Sequence, residues 1–199
     1  MTDDQAAGTA ATGGPDVPGP VRHLVLLRHA KAEQPTGGMQ DADRPLSARG
    51  HADAAAAGAW LRYADYLPAA VVCSPAKRTR QTWHDAALGM AAPPTRPLTT
   101  QPGAETTMAA PTVRYEPKIY HGYVADLLDL VRATDPAVTT VLLVGHNPTI
   151  SDLSTLLDPV HAAPDGLRTG GIVVHRVDGD WADLREQAGP IVKWHTARG

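Results

Sequence analysis

His23-Leu24-Val25-Leu26-Leu27-Arg28-His29-Ala30 decides the fold. The apolar residues follow one another with almost no polar alternation. A strand with one wet face alternates, whereas a strand covered on both faces does not. The run therefore predicts a central strand of a mostly parallel sheet with helices on either side. A loop containing Pro35, Gly37, Gly38 and Pro45 follows it. Ser47 then reads as the N-cap of a helix from Ala48 to about Tyr66.

Strands and helices alternate from there. Ala70–Cys73 is a short second strand. Ser74-Pro75 reads as an N-cap with proline at the first helical position, opening a helix to about Leu88. Val113–Tyr115 reads as a third strand, Tyr123–Ala133 as a helix and Thr139–Val144 as a strand. Asn147-Pro148 repeats the cap-plus-proline start for a helix to about Leu157. Ile172–Val177 and Ile191–His195 are closing strands, with Gly179 in the turn between them. This order predicts an α/β three-layer sandwich, a mostly parallel central sheet flanked by helices.

The chain has 199 residues, enough for one domain and a substantial core. It has no Phe, so Leu, Val, Ile and Ala must build that core. Residues 1–20 are small, polar and rich in Gly and Pro, which predicts a disordered tail ahead of a single domain over 21–199. Residues 91–112 carry five prolines and read as a surface excursion. The start lacks the basic and apolar regions of a secretion signal, so the expected location is cytoplasmic. No apolar run reaches the ~18 residues of a membrane span. The net charge of −3 argues against sequence-independent binding to nucleic acid. The single cysteine, Cys73, excludes an internal disulfide and reads as a buried small hydrophobe.

Three motifs each sit just after a strand, where an open α/β sheet places its ligands. They are Arg28-His29-Ala30, Ser74-Pro-Ala-Lys-Arg78-Thr-Arg-Gln-Thr82 and Gly145-His146-Asn147-Pro148. Singly, each has a plain explanation as a solvated loop, a helix-surface arginine or a packed histidine. Jointly, they deliver two histidines and one or two arginines to one sheet edge, which core packing does not require. Guanidinium groups match a tetrahedral dianion in bidentate fashion. A neutral imidazole can attack phosphorus, and a second imidazole can stabilise the equatorial oxygens. Cations of this kind clamp a phosphoryl group without a metal or other cofactor. Arg80 faces away from Arg78 on the helix. Trp83 reads as packing, and His51, His84, His161, His175 and His195 have no motif around them.

The three motifs, in this order, resemble the histidine phosphatase superfamily with its phosphoglycerate-mutase-like fold. Asp43-Arg44-Pro45-Leu46-Ser47-x-x-Gly50 is similar, more narrowly, to its SixA branch of phosphohistidine phosphatases. The resemblance implies that His29 is the phosphorylated nucleophile. Arg28 and Arg78 would hold the phosphoryl oxygens, and His146 would complete the pocket. Ala30 stands where the commoner motif has Gly. Arg44 is a candidate for substrate contact from the loop over the pocket, with a salt bridge to Asp41 or Asp43 as the alternative. The resemblance places His121 where the family has its general-acid Glu, which makes His121 the candidate acid; Glu116 is nearby, and Glu105 lies in the proline-rich excursion. The implied substrate is protein phosphohistidine, because an imidazole leaving group needs a general acid less than an alkoxide does. A broad small-molecule phosphomonoesterase is the alternative, and a non-catalytic phospho-ligand binder a third.

Overall fold

The computed structural model describes residues 20–92 and 110–199. The expected 1–20 tail, apart from Pro20, lies outside those residues, as does most of the 91–112 excursion.

The strands are β1 (Arg22–Arg28), β2 (Ala70–Cys73), β3 (Thr112–Tyr115), β4 (Thr140–Gly145), β5 (Gly171–Val177) and β6 (Ile191–Thr196). They form one sheet in the order β3-β2-β4-β1-β5-β6. β3, β2, β4 and β1 run parallel; β5 and β6 are antiparallel additions beside β1. Parallel neighbours need crossover connections, and helices supply most of them. The helices are α1 (Ala48–Tyr63), α2 (Lys77–Ala91), α3 (Lys118–His121), α4 (Val124–Arg132) and α5 (Thr149–Leu157), the last leading from β4 to antiparallel β5.

The uninterrupted apolar run of β1 is explained by its two covered faces. Leu24 and Leu26 pack with Leu127 and Val131 of α4 and Ile150 and Leu153 of α5. Val25 and Leu27 point the other way, to Ala57 and Leu61 of α1 and Trp83 of α2. All four β1 residues are fully buried, as the period-2 alternation of side chains requires. Cys73 lies in the second layer, and burial pushes its thiol pKa up to about 12.

Helix starts and stops differ from the sequence expectations for identifiable reasons. α1 ends at Tyr63 rather than Tyr66 because Asp65 turns to φ 62°. The Tyr66 N–H then closes onto the Leu61 carbonyl at 2.9 Å, a Schellman-type stop. α2 begins at Lys77, so Ser74 is not its cap. The Ser74 hydroxyl instead meets His146 Nε2 at 2.8 Å. α5 begins at Thr149 after Pro148. Asn147 does not cap it; its carboxamide joins Leu167 O at 3.0 Å and Ser151 Oγ at 2.7 Å.

α1 and α2 pack closely through small residues. A Cβ on Gly58 would overlap the Ala86 carbonyl oxygen of α2, and one on Gly89 would overlap the Ala55 carbonyl oxygen of α1. Gly58→Ala gains up to ~1 kcal/mol of helix propensity. The overlap outweighs that gain, and we expect a net loss of about 1–3 kcal/mol in urea unfolding. An unchanged or raised midpoint would show that the two helices are not held at contact distance here.

Candidate active site

The site is built by strand register. β2, β4 and β1 are neighbours and parallel, so their C-terminal ends emerge on one edge. Cys73 pairs with Val144, and Arg28 with Gly145. The ladder continues one residue further, with Ser74 N–H on Val144 O at 3.1 Å and His29 N–H on Gly145 O at 3.0 Å. The residues that follow the strands are thereby locked side by side, at the ~4.8 Å spacing of adjacent strands.

They line a pocket of about 300 Å³. Arg28, His29, Arg78 and His146 contribute to it, with Lys31, Gln34 and Arg44 from the β1–α1 loop and Asn147 and Thr169 beside them. The His29 and His146 rings lie 5.1 Å apart. His29 Nδ1 is 2.8 Å from the Ala30 carbonyl oxygen. That oxygen carries no proton, so Nδ1 is the donor and Nε2 keeps its lone pair. The Ala30 N–H is itself anchored on Thr82 Oγ1 at 3.0 Å. The Arg28 guanidinium is braced by the Leu167 carbonyl at 2.7 Å, and Gly170 N–H reaches the Arg28 and His29 carbonyls at 3.2 Å.

Among the described residues, four buried side-chain nitrogens have no hydrogen-bond partner: Arg22 Nε, Arg28 Nε, Arg78 Nε and His146 Nδ1. Three of the four belong to residues that line this one pocket. Buried nitrogens left without partners cost stability, and that cost is concentrated on residues that line this pocket.

Both imidazoles are neutral at pH 7. Burial lowers the His29 pKa to about 4, assisted by the Arg78, Arg28 and Arg44 charges. Burial, His29 and Arg78 lower that of His146 to about 3.

A profile of the histidine phosphatase superfamily (branch 1) matches residues 24–100. A solved structure from Nakamurella multipartitia, provisionally named phosphohistidine phosphatase SixA, is 33% identical with a TM-score of 0.71; the match covers 91% of this chain and 99% of that one. The chain belongs to the histidine phosphatase superfamily. Within it, the chain falls in the SixA-type branch. An uncharacterised protein of Mycobacterium tuberculosis is 35% identical over 182 residues, spanning 86% of this chain and all of that one. The structure of a protein histidine phosphatase SixA complexed with tungstate shares the fold, at 20% identity and a TM-score of 0.66, covering 87% of this chain and 96% of that one.

In this histidine phosphatase, Arg28, His29, Arg78 and His146 come together. Arg44 also lines the pocket, but its guanidinium is engaged by Asp41 Oδ1 at 2.9 Å and by Glu33 O at 3.0 and 3.1 Å. His121 does not reach the pocket. It is exposed at the end of α3, and its predecessor Tyr120 takes the inward position. The Tyr120 ring is 5.3 Å from that of His146, and its hydroxyl donates to Asp41 Oδ2 at 2.6 Å. Adjacent helical residues point about 100° apart, so Tyr120 and His121 face different surroundings, and the four residues of α3 carry no periodicity that shows which one turns inward. Other histidines have structural partners: His51 with Asp85 at 2.6 Å, His161 with Asp158 at 3.0 Å, and buried His175 between Ser154 and Gly189 O.

The lowered pKa values set a pH dependence. Between the ordinary 6.5 and about 4, the unfolded chain binds protons that folded His29 refuses; His146 extends the window to about 3. Stability therefore falls as pH drops through this range. We expect the urea midpoint to decline from pH 7 to pH 4.5, and to decline less in His29→Asn. Equal slopes would mean that His29 titrates normally in the folded protein.

Proposed function

We propose that this histidine phosphatase hydrolyses a phosphoryl group through a covalent intermediate on His29, with protein phosphohistidine as its substrate. The observation that carries the reading is the free Nε2 lone pair of His29 in a pocket lined by Arg28, Arg78 and His146.

In the first step, Nε2 forms a bond to phosphorus. The bond from phosphorus to the substrate imidazole breaks, and its electron pair goes to the departing nitrogen; the ring, protonated beforehand on its other nitrogen, leaves as neutral imidazole. In the second step, water attacks phospho-His29, the N–P bond breaks, and Nε2 recovers its pair; the protons of the water pass to phosphate and solvent. Arg28 and Arg78 offset the charge on the equatorial oxygens, and His146 acts as a neutral N–H donor. The backbone hydrogen bond to Ala30 holds the His29 ring in the tautomer that the attack needs.

The choice of leaving group follows from the acids available. Among the described residues, no Asp or Glu lines the pocket. The nearby Asp41 carboxyl is held well below the usual range by hydrogen bonds from Tyr120 and Arg44 and by Arg78, so it remains an anion and has no proton to give. A nitrogen leaving group tolerates this, whereas an alkoxide does not. The name of the Nakamurella relative points to the same substrate.

Turnover of a phosphohistidine-bearing protein against a panel of phosphomonoesters tests the reading. We expect kcat/KM to favour phosphohistidine by about a hundredfold or more, the cost of a missing acid. Equal or better turnover of sugar phosphates would reassign the protein as a small-molecule phosphomonoesterase. His29→Ala should lose about 10³-fold or more, as removal of a nucleophile does. His121→Ala should leave both limbs of the pH–rate profile in place; a lost limb would restore His121 as the acid.

A further inference from the structure

Asp41 sits in a short 3₁₀ turn (Asp41–Asp43) between β1 and α1, at the edge of the pocket. Its carboxylate collects three donors. Arg78 Nη2 and Arg44 Nη1 each approach at 2.9 Å, and the Tyr120 hydroxyl at 2.6 Å. Its backbone carbonyl takes Arg78 Nη1 at 2.6 Å. Both terminal nitrogens of Arg78 thus point at one residue, using the fork that a guanidinium otherwise presents to two phosphoryl oxygens.

The Arg78 side chain is 7% exposed and that of Asp41 is 53% exposed. A half-exposed ion pair contributes little to folding. The chain nevertheless fixes the carboxylate from three sides. Tyr120 holds it from α3, and the Tyr120 ring stands edge-on to His146 at 5.3 Å while the Arg78 guanidinium lies 5.6 Å from the same ring. The carboxylate is therefore aimed at Arg78, next to the place where a phosphoryl group would meet it.

We propose that Asp41 is a positioning residue that competes with the phosphoryl group for Arg78, and so limits how tightly inorganic phosphate is held after hydrolysis. The inference rests on the phosphoryl-pocket reading above. A phosphoryl dianion carries more charge than one carboxylate and gains additional donors from Arg28 and His146. It therefore displaces Asp41 from Arg78 on binding. Asp41 stays tethered by Tyr120 and Arg44, within reach of the guanidinium, and retakes it as phosphate leaves. Binding that is equally strong for product and transition state adds nothing to turnover. A tethered internal anion weakens every phosphoryl complex that takes Arg78, the product complex included, and so shortens the hold on inorganic phosphate.

Calorimetric titration of inorganic phosphate into the wild-type protein, Asp41→Asn and Asp43→Asn tests this. Asp43 is exposed, two residues away, and removal of its charge changes the net charge equally without touching Arg78. Asp41→Asn should bind phosphate about tenfold more tightly, from loss of one anion at contact distance. The product-inhibition constant should fall by the same factor, and Asp43→Asn should stay within about twofold of wild type. In an Arg78→Ala background the gain from Asp41→Asn should largely vanish, as expected for two residues that act through one another. Equal or weaker phosphate binding by Asp41→Asn, with wild-type turnover intact, would overturn the inference and leave Asp41 as a prop for Arg78. A wild-type protein that neither binds phosphate nor turns over would overturn the pocket reading, and the inference with it.

Discussion

The parallel pairing of β2, β4 and β1 is the constraint on which the rest of the structure depends. Backbone hydrogen bonds place Ser74, His146 and His29 on one edge, one strand spacing apart. Each strand end then needs only one or two residues to reach a common point. The core serves this edge. Leu24, Leu26, Val25 and Leu27 are buried on alternate faces, so a shift of β1 by one residue would exchange the two layers. The register that packs the core is the register that assembles the pocket.

Electrostatics then decides what the pocket can hold. The whole chain is mildly acidic, with a net charge of −3. Locally, Arg28, Arg78, Arg44 and Lys31 gather around two neutral histidines. Burial, assisted by the arginine charges, keeps His29 unprotonated. Both thus preserve the lone pair that would attack a phosphoryl group. Asp41 is the one carboxylate tied directly to these cations among the described pocket contacts, and it tempers the field at Arg78.

Much of this was legible in the sequence because it is local. The apolar run of β1, the strand at 70–73 and the motifs after β1, β2 and β4 carry their meaning within a few residues. Contacts that depend on distant segments were not legible. Ser74 and Asn147 look like helix caps by residue type, yet their side chains bond to His146 and to Leu167 and Ser151. Leu167, which braces Arg28, is 139 residues away in sequence. Tyr120 and Asp41 are 79 residues apart, and neither belongs to a recognisable motif. The sheet brings them together only after the crossovers are complete, and no spacing rule encodes that. Arg44 shows both patterns: it lines the pocket, as the motif implied, and it is tied to Asp41, as its charge implied.

The central claim is that the reaction passes through a covalent phosphate on His29. Rapid quenching in alkali within the first turnover, followed by proteolysis and mass spectrometry of the peptide that contains His29, tests it directly. The account predicts an acid-labile, alkali-stable phosphate on His29 that appears faster than free phosphate and is absent from His29→Ala. Single-turnover hydrolysis with no such peptide, or with the phosphate on another residue, would contradict it.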